Sequence, residues 1–182
     1  MKITFDVDEN NNIIHSKNRG MSLEAEITES NIFYRENNIA LIYKKPTPIR
    51  VVKCSNSKIT EAYFDEKSTT DFNGVYKGRY IDIEAKETNN ETSFPLNNIE
   101  DNQIEHIENV IKNNGLAFLF VEFTSLERYF MLEGHKLINF IKENNRKSIP
   151  LSFFIESSDE VERSLIPPLD YIKIIDKYIK NN

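Results

Sequence analysis

From Leu23 to Tyr34, apolar positions recur three and four residues apart, which predicts a helix over residues 22–37 with Leu23, Ile27, Ser30 and Tyr34 on one face. Ser22 stands where a cap is wanted, and Glu24 and Glu26 fall in the first turn, where the helix dipole favours negative charge. The period then shortens. Residues 39–43, 49–53 and 59–64 are short strand-like runs. Pro46 and Pro48 break the first from the second, since proline cannot donate to a sheet ladder, and Ser55-Asn56-Ser57 turns between the second and third. Residues 45–68 therefore read as an extended ribbon stiffened at its base by Pro46-Thr47-Pro48.

Residues 72–76 and 79–87 are the next predicted strands, turned by Lys77-Gly78. In the second, Tyr80, Asp82, Glu84 and Lys86 alternate with Ile81, Ile83 and Ala85, so one face is polar and the other apolar. Residues 88–98 read as a polar loop. Residues 99–113 read as a helix with Ile104, Ile107, Val110 and Ile111 on one face, and Gly115 is placed to end it. The unbroken apolar run 116–123 predicts a buried central strand with 128–133 as its neighbour. Helices are expected at 136–144 and 169–180, the latter opened by Pro167-Pro168 with Asp170 in its first turn, and a strand at 152–155. This order predicts a single α/β domain, 1–182, with a central mixed sheet flanked by helices. Residues 1–17 are expected to be a poorly ordered arm.

Composition narrows the function. Hydrophobic residues make up 39%, enough to bury an ordinary core in 182 residues. The lone cysteine, Cys54, cannot pair within the chain, which suits a reducing cytoplasm; no signal peptide or membrane span is expected. The net charge of −6 counts against nucleic acid as a partner, but residues 41–60 carry five basic side chains (Lys44, Lys45, Arg50, Lys53, Lys58) and no acid, leaving −11 for the rest. Such an island is either a solvated loop or a basic projection that touches phosphate.

The polar face of residues 80–86 has two readings also: a solvated sheet face, or a site. Glu84-Ala85-Lys86 sets a carboxylate beside an ammonium, and a hairpin turned at Lys77-Gly78 can bring Asp71 next to Glu84. Two adjacent carboxylates repel unless a cation joins them, and Mg²⁺ prefers such oxygen ligands together with water and phosphate. A lysine nearby can stabilise charge developing at phosphorus. Asp followed by Glu-x-Lys is a loose pattern, and alone it leaves both readings open.

Longer motifs carry a resemblance. Asn18-Arg19-Gly20-Met21-Ser22-Leu23-Glu24, Lys44-Lys45-Pro46-Thr47-Pro48, Glu61-Ala62-Tyr63-Phe64 and Ser68-Thr69-Thr70-Asp71-Phe72-Asn73-Gly74 follow one another. Tyr76-Lys77-Gly78-Arg79-Tyr80-Ile81-Asp82-Ile83-Glu84-Ala85-Lys86-Glu87-Thr88, Thr92-Ser93-Phe94-Pro95-Leu96 and Asn102-Gln103-Ile104-Glu105-His106 come next. In order and spacing these resemble the RecU family of Holliday junction resolvases. The resemblance implies a restriction-endonuclease-like PD-(D/E)xK fold and a homodimer that nicks four-way DNA junctions symmetrically with Mg²⁺, or Mn²⁺ in its place, in recombination and repair. It implies Thr69, Asp71, Glu84 and Gln103 as metal ligands, Asp71, Glu84 and Lys86 as catalytic residues, and residues 45–68 as a stalk entering the junction. Lys44, Lys45, Arg50, Lys58, Lys77 and Arg79 are the DNA-contact candidates, and a recombinase is a candidate partner. Family members usually carry a longer, basic N-terminal arm, whereas the residues before Asn18 here are acidic.

Three rivals stand beside this reading: a restriction-type nuclease cutting plain duplex, a non-catalytic junction-binding modulator, and an interaction module with a polar sheet face. Scattered His15, His106 and His135 with no cysteine pair argue against zinc, and His106 reads first as an exposed helix residue. Glu24 is as good a surface residue as a further carboxylate for the site. Gly-rich phosphate loops are absent.

Overall fold

The computed structural model describes residues 21–56, 58–64 and 69–180; the predicted arm, 1–17, lies outside them. Among the described residues five α-helices, α1 (Leu23–Glu36), α2 (Asp101–Lys112), α3 (Gly134–Glu143), α4 (Leu151–Ser157) and α5 (Ile172–Lys180), accompany ten strands. The strands are β1 (Leu41–Lys44), β2 (Ile49–Ser55), β3 (Lys58–Phe64), β4 (Phe72–Tyr76), β5 (Arg79–Thr88), β6 (Ser93–Pro95), β7 (Leu116–Phe123), β8 (Arg128–Glu133), β9 (Ser148–Pro150) and β10 (Asp159–Val161). Six of them form one mixed sheet in the order β1-β4-β5-β7-β8-β10, in which only β5 and β7 run parallel. Helix α2 is the crossover between those two, as a parallel pair requires.

The sheet has a core on each face. Ile81, Ile83 and Ala85 of β5 join Phe118 and Phe120 of β7 beneath α1 and α5. Leu119 and Val121 point the other way, into a core with Ile107 of α2, Leu137 of α3 and Phe154 of α4. Strand β7 is buried on both sides, which is why its apolar run is continuous. Helix α1 is pinned at both ends. The Ser22 side chain accepts the Ala25 N–H, and the Glu87 carboxylate on β5 accepts the Leu23 N–H at 2.6 Å. Further along, Ser30 Oγ accepts the Leu169 N–H and Tyr34 Oη donates to the Leu169 carbonyl, both at 3.0 Å.

Two local features set the position of β4. Lys77 (φ 48°) and Gly78 (φ 77°) both lie in the left-handed region, as a two-residue hairpin turn demands. Gly74 lies against β1 so closely that an added Cβ would stand 2.0 Å from the Leu41 carbonyl oxygen. Among the described residues the β2–β3 ribbon pairs only with itself, and it has bulges around Lys53. Every residue of β2 is exposed, so the ribbon stands away from the body. Ile49, Val51, Val52 and Ile59 are all solvent-facing.

The structure differs from the sequence reading beyond residue 145 and in the loop before α2. Residues 152–155 form part of helix α4, not a strand. A four-residue apolar run does not distinguish the two periods, and the helix delivers Phe154 into edge contacts with Phe94 and Phe123, 6.3 and 5.3 Å between centroids. The three-residue strands β6, β9 and β10 are too short to show alternation. The β6–β9 pair buries Phe94 and Ile149 and fastens the loop that enters α2. The last helix begins at Ile172, after its proline pair. No helix among the described residues is long and apolar enough to cross a membrane.

Candidate active site

The polar face of β5 is not solvated. Asp82 and Glu84 are each 0% exposed, and they point to the α2 side of the sheet. β4 and β5 pair Phe72 with Ile83, which sets the preceding Asp71 opposite Glu84. The Asp71 Oδ2 atom accepts the Ala85 N–H at 2.9 Å. Gln103 comes from the first turn of α2. Its amide oxygen accepts the Glu100 N–H at 3.0 Å as part of a capping box, and its amide nitrogen donates to Glu84 Oε1 at 2.6 Å and to the Thr69 carbonyl at 3.3 Å. Lys86 Nζ reaches the same Glu84 Oε1 at 2.6 Å. Thr69, Asp71, Glu84, Lys86 and Gln103 thus converge from a loop, a strand and a helix.

The cluster is electrostatically strained. Burial pushes the Glu84 carboxyl up to about 7, the Asp71 and Asp82 charges push the same way, and Lys86 opposes them. Burial also raises Asp71, against the Ala85 N–H and the nearby Lys86 and Lys44. Glu84 Oε2 is buried and has no hydrogen-bond partner among the described residues. A buried unsatisfied carboxylate oxygen is costly, and a hard cation would satisfy it. Two facing carboxylates, one with an unpartnered oxygen, are a donor set that suits a hard cation such as Mg²⁺. The Thr69 hydroxyl beside them accepts from Lys45 and the Thr69 carbonyl from Gln103, and Gln103 presents its N–H donor, not its oxygen, to Glu84. Among the described residues no three His, Cys, Asp or Glu side chains cluster closely enough to hold a metal by themselves.

Asp82 stands in a different environment. Its Oδ2 accepts from Lys45 Nζ at 2.9 Å and Tyr80 Oη at 2.8 Å and lies 3.2 Å from His106 Nε2, while Thr70 Oγ1 donates to Oδ1. Burial would raise this carboxyl, but His106, Thr70 and Lys45 outweigh it and hold it below the usual value. His106, expected at the surface, therefore borders the site, three residues and one turn from Gln103.

The expected DNA contacts are mostly paired. Lys44 bridges to Glu24, whose carboxylate in turn lies close enough to raise Asp71. Lys45, expected on the DNA side, has its ammonium turned inward to Asp82 with 14% of its side chain exposed. Lys77 pairs with Asp176 at 2.5 Å and Arg79 donates to the Asn114 carbonyl just past α2; Lys53, of the same basic segment but not among those candidates, pairs with Glu61 at 2.6 Å. Arg50 and Lys58 are exposed on the ribbon, and Cys54 beside them is an exposed thiol. The sequence reading missed the Thr70–Asp82–Tyr80–His106 network. The alternation of β5 did place Asp82 and Tyr80 on the site face, but nothing in it paired them with Lys45.

The fold and site define a mixed-sheet α/β domain with a buried two-carboxylate, one-lysine centre on its middle strand. The chain belongs to the RecU family: the model of that family, "Recombination protein U", matches residues 18–177. It is 48% identical over 171 residues to the Holliday junction resolvase RecU of Pediococcus pentosaceus, covering 90% of this chain and 85% of that protein. It is 46% identical over 167 residues to the Holliday junction resolvase RecU of Bacillus cereus, covering 87% and 84%. Among solved structures it is similar to Hjc, a Holliday junction resolvase of Archaeoglobus fulgidus, at 10% identity and a TM-score of 0.41 over 71% of this chain and 91% of that one, a likeness too weak to bear on function.

Proposed function

We propose that this chain is a Mg²⁺-dependent endonuclease that resolves four-way DNA junctions, with Mn²⁺ able to replace Mg²⁺. The observation that carries the reading is Glu84: a fully buried carboxylate with one open oxygen, facing Asp71 and bonded to Lys86. Membership of a family whose named relatives are junction resolvases supports the choice of substrate. A Mg²⁺ held by Asp71 and Glu84, with the Thr69 carbonyl as a further oxygen ligand, would acidify a bound water and polarise the scissile phosphate. Lys86, 22% exposed at the mouth of the site, is placed to meet a phosphate oxygen and stabilise charge developing there. Gln103 holds Glu84 in one rotamer and ties it to the Thr69 carbonyl.

The ribbon supports junction over duplex as the substrate. A two-stranded hairpin exposed on both faces is marginal alone, and its exposed Ile49, Val51, Val52, Ile59 and Tyr63 suit the unstacked centre of a junction. Leu41, Tyr43 and Val75 form an exposed apolar strip at the β1 edge, a surface suited to a second copy of the chain, and two-fold symmetry would then produce paired nicks. Cytoplasmic residence accords with these roles. The test is nicking of a labelled four-way junction in Mg²⁺ beside a duplex of the same sequence, with the ribbon replaced by a short Gly-Ser turn as control. Selective nicking of the junction that the ribbon-less variant loses supports the reading. Equal cutting of both substrates by the full chain favours a duplex nuclease.

A further inference from the structure

Lys45 follows the last residue of β1 and precedes Pro46 at the foot of the ribbon. It grips the site twice. Its backbone N–H donates to the Asp71 carbonyl at 2.7 Å. Its three ammonium hydrogens meet three oxygens: Thr69 Oγ1 at 3.1 Å, Thr70 Oγ1 at 2.6 Å and Asp82 Oδ2 at 2.9 Å. His106 Nε2, on α2, lies 3.3 Å away and also faces Asp82. One side chain therefore joins the 69–71 segment, β5 and α2, the three pieces that bring Asp71, Glu84 and Gln103 together.

The occupancy of the two neighbouring carboxylates separates their roles. Asp82 sits on the same face as Glu84, two residues away, and by position could be a third metal ligand. Both its oxygens are already engaged, by Thr70 on one side and Lys45, Tyr80 and His106 on the other. Glu84 keeps one oxygen without a partner among the described residues. Asp82 is thus the counter-charge of Lys45, while the open valence belongs to Glu84.

Resting on the nuclease reading above, we propose that Lys45 is a positioning residue: its ammonium, neutralised by Asp82, locks the 69–71 segment against β5 and α2 and so sets the Asp71–Glu84 geometry on which metal affinity depends. Lys45→Met alone strands a buried carboxylate and lowers the melting temperature, so the informative variant is the double, Lys45→Met with Asp82→Asn, which removes both charges and keeps both shapes.

The test uses the full chain and four readouts: melting, junction binding in EDTA, Mn²⁺ binding by calorimetry without DNA, and the Mn²⁺ concentration for half-maximal nicking. The double variant is expected to melt near wild type and bind the junction within about twofold, yet bind Mn²⁺ roughly ten- to a hundredfold more weakly, the scale of effects from residues that orient metal ligands. Its half-maximal nicking should move by a similar factor. Exchange of the Ala85 amide, which donates to Asp71, should quicken. Thr70→Val, which leaves both charges and cuts the hydroxyl between them, is read in parallel and should move the same quantities less far. A wild-type chain that binds Mn²⁺ and nicks, with both variants matching it in metal affinity, overturns the Lys45 proposal alone. A wild-type chain that binds no Mn²⁺ and nicks nothing overturns the nuclease reading and this proposal with it.

Discussion

Glu84→Gln should make the metal-free protein more stable while ending its cleavage. Glu84 is 0% exposed, and burial with the Asp71 and Asp82 charges raises its carboxyl from 4.5 to about 7. A carboxyl whose folded value lies above its unfolded one holds its proton longer when folded. Its contribution to stability is complete below 4.5 and is lost as pH rises through about 7. That shift converts to about 3 kcal/mol at pH 8. Glutamine keeps the acceptor for Gln103 and Lys86 and carries no charge to bury. In urea unfolding with EDTA, wild type and Glu84→Gln should be nearly equal at pH 5. At pH 8 the variant should lead by about 2–3 kcal/mol, or roughly 5–10 °C in melting temperature for a chain of this size. Adding Mg²⁺ should then stabilise the wild type and leave the variant unchanged. A variant that is less stable than wild type by the same amount at both pH values would refute the reasoning, because Glu84 would then be held by its bonds and not strained by its charge.

Lys86→Met should bind a junction in EDTA as wild type does but cut it about 10²–10³-fold more slowly, read in single-turnover nicking at saturating metal. Gly74→Ala, whose Cβ would stand 2.0 Å from the Leu41 carbonyl oxygen, should part β1 from β4, lower the melting temperature and, through Lys45 just after β1, weaken Mn²⁺ binding; a calorimetric and melting comparison decides it. Burial, together with Glu87 and Glu26, raises Glu122 to about 7, so the wild type should lose stability as pH rises from 5 to 8 and Glu122→Gln should flatten that slope in a series of melts.

The parts of the fold with a long period were legible from the chain: α1 with its Ser22 cap, the alternating β5, the unbroken β7 and the Lys77-Gly78 turn all stand where their spacing put them. Elements of three residues were not, because β6, β9 and β10 are held by pairing partners far away in sequence. The apolar run at residues 152–155 misled because only the Phe94–Phe123–Phe154 cluster decides that it coils. At the site, the alternation of β5 placed Glu84 and Lys86 on one face, and the hairpin register placed Asp71 opposite. Alternation could not say whether that face was wet. Its burial comes from α2, the 69–71 segment and Lys45 closing over it. The five basic residues of segment 41–60 likewise read as a charged projection, whereas Lys44, Lys45 and Lys53 are already paired in the folded chain.

The nicks that the chain makes in an end-labelled four-way junction in Mg²⁺, mapped with Asp71→Ala and Glu84→Ala alongside, are the most direct test. The wild type should leave paired nicks in two opposed strands, and either variant should bind the junction and leave no nick. A wild type that binds the junction and leaves all four strands whole in both Mg²⁺ and Mn²⁺, or variants that cut as well as it does, would contradict the nuclease reading.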